Sequence, residues 1–178
     1  MNTHGGGVLP YCPNCGAQID EKDDLCKQCG FNVAQIKGLL NSPYEAVKSV
    51  VLQRIEGIRR RDAEAVQRLI DKENYTKFDD WPPFERQGLD GLRREAEALK
   101  VLREYRYEIN DLRIDLFGDA ALASFIIEYS GRMRNLDFNV KSRVSIVLVK
   151  VGGEWKIVHE HWSRFPGREE YRHRLLFC

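Results

Sequence analysis

Apolar residues between positions 43 and 102 recur every three or four residues, which is the spacing of one face of an α-helix. Ser42-Pro43-Tyr44-Glu45 combines a capping box with a proline at the first helical position, so a helix is predicted to begin there. Asp62 is a suitable cap for a second, shorter helix. Trp81-Pro82-Pro83-Phe84 interrupts the regular pattern, and residues 92–102 show a third helical repeat.

From position 105 the apolar period changes to two, the period of a strand with one buried face. Gly118-Asp119 and Gly152-Gly153 are hairpin turn sequences, so neighbouring strands are predicted to be antiparallel. The predicted strands span residues 105–117, 120–132, 138–151 and 154–165. Helices followed by a long-stranded meander indicate an α+β fold, in which a curved antiparallel sheet packs on N-terminal helices.

Two C-x-x-C-G sequences separated by ten residues precede the first helix, and they supply Cys12, Cys15, Cys26 and Cys29. Two residues between cysteines let one turn aim both sulfurs at a single ion, and two such turns complete a tetrahedron. Four thiolates leave no open position, so we predict one structural zinc ion per chain; a disulfide or an unmetallated pair is the alternative. Cys178 has no ligand neighbour at suitable spacing and is predicted to be a free thiol.

The loop between the two cysteine pairs is mainly acidic, with Asp20, Glu21, Asp23 and Asp24 against Lys22. This acidic loop would repel the phosphate backbone of a nucleic acid, so a protein contact or a capping role is favoured over nucleic-acid binding. A self-contained stabilising lobe without a partner is the other interpretation. The predicted domain order is a flexible tail (1–9), a zinc ribbon (10–32), a linker (33–42), a main domain (43–165) and a C-terminal tail (166–178).

Composition and charge narrow the class of protein. The chain has 178 residues, of which 43% are hydrophobic and 31% charged, as in globular proteins with a packed core. Lys plus Arg number 28 against 27 for Asp plus Glu, so no overall field draws the chain to nucleic acid or to an anionic membrane. Its apolar stretches are far shorter than the roughly 20 residues that span a bilayer. With no secretory pattern at its start, the chain is predicted to be cytoplasmic.

The helix order, the turn Gly118-Asp119-Ala120-Ala121 and residues 152–163 resemble the nuclear transport factor two-like superfamily. Within it, the chain is similar to SnoaL-like domains and to the hub domain of calcium/calmodulin-dependent protein kinase II, over about residues 43–165. The resemblance implies a cone-shaped fold with a pocket between helices and sheet, and a homodimer through the outer face of the sheet. It does not imply one chemistry, because the superfamily includes isomerases, dehydratases, epoxide hydrolases and non-enzymatic assembly domains.

The hub-domain resemblance also implies a set of pocket residues. Arg143 matches a pocket arginine of that family, and Glu128 and Trp162 stand at the positions of two others. Glu128 beside Arg143 suggests a site for a small polar or anionic ligand, or a structural ion pair. The remaining predicted pocket residues are one carboxylate and three aromatic side chains: Glu160, Trp81, Tyr105 and Tyr107.

His159 and His161 lie two apart on the last predicted strand, so they are expected to face the same side, together with Trp155 and Ile157. Such a pair has the residue types for proton transfer or for half of a metal site. The resemblance instead implies framework positions, either packed or at an interface.

The combined prediction is a non-catalytic protein that either forms an assembly or binds a small polar ligand. Its structural zinc ribbon is a candidate contact site for a protein partner. Apolar residues on both faces of the strand 138–151 favour a homodimer through the sheet. The alternative is a SnoaL-like isomerase, dehydratase or hydrolase that uses pocket carboxylate acid/base chemistry; nucleic-acid binding is a weaker alternative. An enzyme would place a perturbed carboxylate within reach of a hydrogen-bond donor, whereas a binding module would not.

Overall fold

The computed structural model describes residues 11–20, 22–40 and 42–166. The chain divides into two compact units, with the boundary between Ala46 and Val47. The predicted tail 1–9 and Cys178 lie outside the described residues. Within the described ranges, no helix is long and apolar enough to cross a bilayer.

The first unit consists of two similar tight turns followed by helix α1 (Val33–Leu40), which lies in the segment predicted to be a linker. In each turn the amide of the glycine donates to the carbonyl of the first cysteine, Gly16 to Cys12 and Gly30 to Cys26, both at 2.8 Å. These glycines have φ of +74° and +71°, a conformation that side chains disfavour. The repeated C-x-x-C-G sequence therefore folds twice into the same turn.

Three helices belong mainly to the second unit: α2 (Pro43–Arg60), α3 (Ala63–Arg68) and α4 (Leu89–Val101). The predicted caps are present, since Ser42 Oγ accepts from the Glu45 amide at 3.2 Å and Asp62 Oδ1 accepts from the Ala65 amide at 2.9 Å. The buried positions of α2 follow helical spacing and include one charged residue: Val47, Val51, Arg54, Ile55 and Gly57.

Six strands form one sheet, and the α+β prediction of a curved sheet packed on helices is confirmed. The strands are β1 (Thr76–Phe78), β2 (Arg86–Gln87), β3 (Leu102–Phe117), β4 (Ala120–Met133), β5 (Leu136–Val151) and β6 (Glu154–Arg164). Their order is β2-β1-β6-β5-β4-β3, and only β1 and β6 pair in parallel. The four long strands form the predicted antiparallel meander.

A β-bulge in β6 decides which side chains face the core. Val147 pairs with His159, but the next residue, Leu148, pairs with Ile157, so one residue of β6 is skipped. The expectation that His159 and His161 share a face with Trp155 and Ile157 is therefore wrong, because the extra residue reverses the alternation. Glu160 and Trp162 are instead buried on the same inner face as Ile157.

Candidate functional site

The four cysteine sulfurs of the first unit lie within 4.8 Å of one another. Two pairs, Cys12–Cys29 and Cys15–Cys26, have Sγ–Sγ distances of 3.6 Å. A regular tetrahedron with Zn–S bonds of about 2.3 Å has sulfurs about 3.8 Å apart, so the donor set fits a zinc ion. Cys12 and Cys26 are buried beside Ile19 and Val33, which anchors the cluster in the small core of this unit.

Hydrogen bonding prepares one thiol of the cluster for metal binding. The Asn14 side-chain amide donates to Cys29 Sγ at 3.5 Å and is the main cause that lowers the pKa of Cys29 to about 6. The thiolate is the form of cysteine that binds metal, and the Asn14 donor favours that form at Cys29.

The second unit contains a cavity of about 290 Å³ between α2, α4, the segment after β1, and the sheet. Five aromatic side chains line it: Trp81, Tyr105, Tyr129, Phe138 and Trp162. Their rings contact one another, with centroids 5.5 Å apart for Trp81–Phe138 and 5.8 Å for Tyr105–Tyr129. This volume is close to the lower end of small-molecule pockets, about 300 to 1,000 Å³.

One wall of the cavity holds a buried ionic network centred on Arg54. Its Nε donates to Glu160 Oε1 at 2.9 Å, and its two terminal nitrogens donate to the two oxygens of Glu95 at 2.8 and 2.9 Å. Tyr75 and Trp162 donate to Glu160 at 2.8 and 3.0 Å, so both oxygens of that carboxylate accept hydrogen bonds. The bidentate contact and these donors offset the cost of burying the charges.

Lys77 extends the network along the wall. Its Nζ lies 3.3 Å from Glu95 Oε2 and 2.5 Å from Asp79 Oδ2. Burial by itself would raise the pKa of Glu95, but the charges of Arg54 and Lys77 outweigh it and lower this pKa to about 2. Both buried cations are thus already paired with carboxylates.

Asp80 is a second buried carboxyl group at the cavity, and its environment differs. It accepts hydrogen bonds from Tyr129 Oη at 2.8 Å and from Ser142 Oγ, and Trp81 Nε1 donates to Tyr129 Oη at 2.9 Å. Burial raises the pKa of Asp80, although these donors favour its ionised form. The cavity therefore contains a perturbed carboxyl within reach of hydroxyl donors.

The predicted pairing of Arg143 with Glu128 is wrong, because both residues lie on the outer face of the sheet. Arg143 is exposed and stacks over the ring of Phe165, with its guanidinium carbon 5.0 Å from the ring centre. Glu128 is exposed and bonds to Lys141 at 2.6 Å. Even-numbered positions of β5 and odd-numbered positions of β4 face the core, which excludes both residues from it.

Three predicted pocket residues, Trp81, Tyr105 and Trp162, line the cavity. Glu160 lies behind it, bonded to Arg54. Tyr107 is outside the lining and donates to Glu56 at 3.2 Å.

The two histidines lie on the interior strand β6, between β1 and β5, and face the outer side of the sheet, apart from the cavity. His159 Nδ1 lies 2.8 Å from Thr76 Oγ1, and the Phe78 ring contacts His159 and His161 with centroids 6.1 and 5.5 Å away. Burial lowers the pKa of His159, and the positive charges of His161 and Arg86 lower it further.

Sequence reasoning missed Arg54, Glu95, Lys77 and Asp80. Arg54 is predictable from the sequence as a buried charge, because it stands within the apolar stripe of α2, where a charged side chain needs a buried partner. Its partners Glu95 and Glu160 come from distant segments, and no local pattern marks them.

Comparison with known proteins identifies the fold of the second unit. The model of the SnoaL-like domain matches residues 47–167. A candidate dehydratase of the NTF2-like family from Streptomyces avermitilis superposes with a TM-score of 0.61 at 16% identity, covering 69% of this chain and 96% of that one. An NTF2-like protein from Cytophaga hutchinsonii superposes with a TM-score of 0.60 at 16% identity, covering 70% of this chain and 99% of that one.

The association domain of CaMKII from C. elegans is also similar, with a TM-score of 0.55 at 20% identity, covering 67% of this chain and 94% of that one. At these identities the similarity shows the fold alone. The comparison with curated protein sequences gave no significant match.

Proposed function

Because the chain belongs to the SnoaL-like domain family, we propose that its second unit binds a small molecule in the cavity beside Arg54 and Asp80. The single observation that carries this proposal is the cavity itself, with aromatic walls and a few polar groups held by fixed hydrogen bonds. Small-molecule sites commonly combine an apolar lining with a few placed polar groups. The rigid network on one wall also reduces the ordering cost of binding.

The three tryptophans give a direct test of this proposal. Trp81 and Trp162 line the cavity, whereas Trp155 is buried elsewhere on β6 and serves as an internal reference. Small neutral, cationic and anionic arenes are titrated into the full chain while the indole N–H signals are followed by NMR. We expect a bound arene to shift the signals of Trp81 and Trp162 and to leave that of Trp155 in place.

A cavity-filling variant completes this test. Ala98 lines the cavity, so Ala98→Phe should abolish the shifts, whereas Ala65→Phe on α3 should not. If no arene shifts Trp81 or Trp162, or if Ala98→Phe leaves binding unchanged, the cavity is not a ligand site.

Acid/base catalysis is a second candidate function, favoured by Asp80. A buried carboxyl with a raised pKa beside two hydroxyl donors is suited to accept or return a proton. A dehydratase would use such a group, and a fold neighbour carries that name. Exchange of the methyl hydrogens of acetophenone in D₂O tests it, since the chain should accelerate this exchange and Asp80→Asn should not. Exchange no faster than in buffer would eliminate this candidate.

We further propose that the cysteine cluster binds one structural zinc ion. The four sulfurs form a closed donor set of the kind that holds zinc without leaving a position for substrate. A reducing compartment such as the cytoplasm would keep these thiols available for the metal.

Assembly through the outer face of the sheet is part of the same proposal. Leu122 and Val147 pair across β4 and β5 on that face, with Val149 next to them, and all three are only partly buried. Several fold neighbours are assembly domains of CaMKII, which supports a homodimer.

A further inference from the structure

Asp80 differs from the other carboxyl groups at the cavity in its partners. It lines the cavity and is 4% exposed, and it forms no ion pair within the part of the chain that the structure describes. Tyr129 and Ser142 donate to Oδ2 through neutral hydroxyls, whereas Oδ1 accepts no hydrogen bond from the described residues. Buried carboxylates are normally paired with a cation, so Asp80 can still take a charged partner.

The neighbouring carboxylates already have their cations. Two buried cations, Arg54 and Lys77, are shared among three of them: Glu95, Glu160 and Asp79. Asp80 is a fourth acidic group beside this network. Burial and, to a smaller extent, the charge of Asp79 raise the pKa of Asp80, so in the free chain a proton on this carboxyl offsets its charge.

Two exposed arginines also lie near the cavity. Arg94 is half exposed and pairs with Asp90. Arg164 is exposed, and its guanidinium carbon lies 4.4 Å from the ring centre of Trp81. Water and salt screen exposed charges far more than buried ones, so neither arginine offsets the buried charge of Asp80. The stacking of Arg164 shows that one aromatic ring of the cavity accepts a cation.

Aromatic side chains surround Asp80. Tyr129 donates to it, Trp81 Nε1 donates to Tyr129 Oη at 2.9 Å, and the Tyr105 ring centre lies 5.8 Å from that of Tyr129. Aromatic faces attract cations, most strongly where water is excluded. A neutral donor would bond to Oδ1 and leave the buried charge unbalanced, whereas an ammonium group supplies both the hydrogen bond and the opposite charge.

We propose that the ligand of this cavity is a cationic amine with an aromatic or apolar body, and that its ammonium group pairs with the Asp80 carboxylate. This inference rests on the proposed ligand-binding function. On binding, the proton of Asp80 passes to water and the ammonium group balances the charge in its place. The expectation of an anionic ligand depended on Arg143, which faces outward.

Two probes of similar shape test the inference. Benzylamine and benzyl alcohol share the ring and the methylene group, and both can donate a hydrogen bond, but only benzylamine is charged at neutral pH; benzoate supplies the opposite charge. Affinities for the full chain are measured by the NMR titration of Trp81 and Trp162. A hydrogen bond between charged groups is roughly twice as strong as a neutral one, so benzylamine should bind about tenfold more tightly than benzyl alcohol.

Variants assign that preference to one residue. Asp80→Asn keeps the shape of the side chain and removes its charge, so benzylamine should bind about as weakly as benzyl alcohol. Asp119→Asn is the matched control, because Asp119 is exposed in the turn between β3 and β4, and it should retain the preference.

The pH dependence of the unmodified chain gives the same test if Asp80→Asn does not fold. Below the pKa of Asp80, binding releases one proton, so the affinity for benzylamine should rise by up to about tenfold per pH unit and then level off. Glu95, with a pKa of about 2, stays ionised across this range. The affinity for benzyl alcohol should change little.

The outcomes separate the two levels of the proposal. Equal affinities for benzylamine and benzyl alcohol, tighter binding of benzoate, an undiminished preference in Asp80→Asn, or a pH-independent affinity for benzylamine would overturn the inference and leave ligand binding intact. Failure of all three probes to shift Trp81 and Trp162 would overturn the proposed function and the inference with it.

Discussion

Arg54 and Glu160 are 106 positions apart in the chain, and Arg54 Nε lies 2.9 Å from Glu160 Oε1 in the interior of the second unit. The pair joins α2 to β6, and Glu95 on α4 closes the arrangement from the other side of the guanidinium. Three elements around the cavity are therefore fixed by one charged side chain. Their relative positions depend on keeping every charge of the network paired.

Replacing Arg54 should be severely destabilising. Arg54→Leu leaves Glu95 and Glu160 buried without their common partner, and breaking a buried pair in this way costs about 3–5 kcal/mol. Arg59→Leu is the matched control, because Arg59 is half exposed and pairs with Glu56 at the surface, where such pairs contribute about 0–1 kcal/mol. Urea unfolding measures the free energy of unfolding of both variants. Similar losses in the two variants would contradict the assigned role of the network.

The network should also make stability fall in acid. The pKa of Glu95 is lowered from 4.5 to about 2 in the folded chain, because the charges of Arg54 and Lys77 outweigh its burial. A lowered folded-state pKa stabilises the fold above the unfolded-state pKa, and this contribution is lost as pH falls from 4.5 towards 2. The free energy of unfolding should decline across that window, and Glu95→Gln should flatten the decline. An unchanged slope in Glu95→Gln would argue against this assignment.

The contribution of Asp80 to the free energy of unfolding should change with pH in the opposite direction. Burial raises its folded-state pKa above 3.8, so ionisation of this group disfavours the fold as pH rises through and beyond that value. The free energy of unfolding of Asp80→Asn, relative to the unmodified chain, should therefore increase with pH above 3.8. Unfolding at a series of pH values gives this difference directly. A constant difference would show that Asp80 titrates normally.

The cysteine cluster predicts one zinc ion per chain. Cys26→Ser removes a buried ligand, so metal content should fall from one to near zero and amide exchange should accelerate in residues 11–32. Cys178→Ser is the control and should leave the metal content unchanged. Metal analysis of freshly purified protein decides the matter, and a full zinc complement in Cys26→Ser would rule out this ligand set.

The proposed homodimer predicts a sensitive position on β5. Val147→Asp places a charge in the apolar patch that Val147 forms with Leu122, and the dimer dissociation constant should rise by more than about tenfold. Leu136→Asp is a suitable control, because Leu136 is 64% exposed and lies at the far end of the strand. Analytical sedimentation measures the dimer dissociation constant of both variants. A monomeric unmodified chain at micromolar concentration would remove the basis for the interface.

Much of the fold follows from local sequence signals. The cap at Ser42 and the glycine turns at 118 and 152 fix where α2 and the long hairpins begin, because each signal acts over three or four residues. Strands β1 and β2 span only three and two residues, too short to show any period. Their existence depends on pairing with β6, which is a tertiary interaction.

The candidate site was harder to predict, because it depends on register. The bulge between Val147 and Leu148 brings Glu160 and Trp162 to the inner face, and the sequence of β6 has no glycine to mark it. The resemblance to the hub domain predicts that Arg143 lies in the pocket, but the pairing of β4 with β5 places it on the outer face. A one-residue change in register reverses the face of every following side chain.

The parallel pairing of β1 with β6 has a consequence for how this cavity can change during evolution. It carries the chain to the edge of the sheet, where the short stretch 79–87 supplies Asp79, Asp80, Trp81 and Gln87 to the cavity. Most of this stretch lies outside the regular strands, so substitutions there disturb few of the hydrogen bonds between strands. A few substitutions in this stretch would therefore change the lining of the cavity while the long hairpins keep their structure.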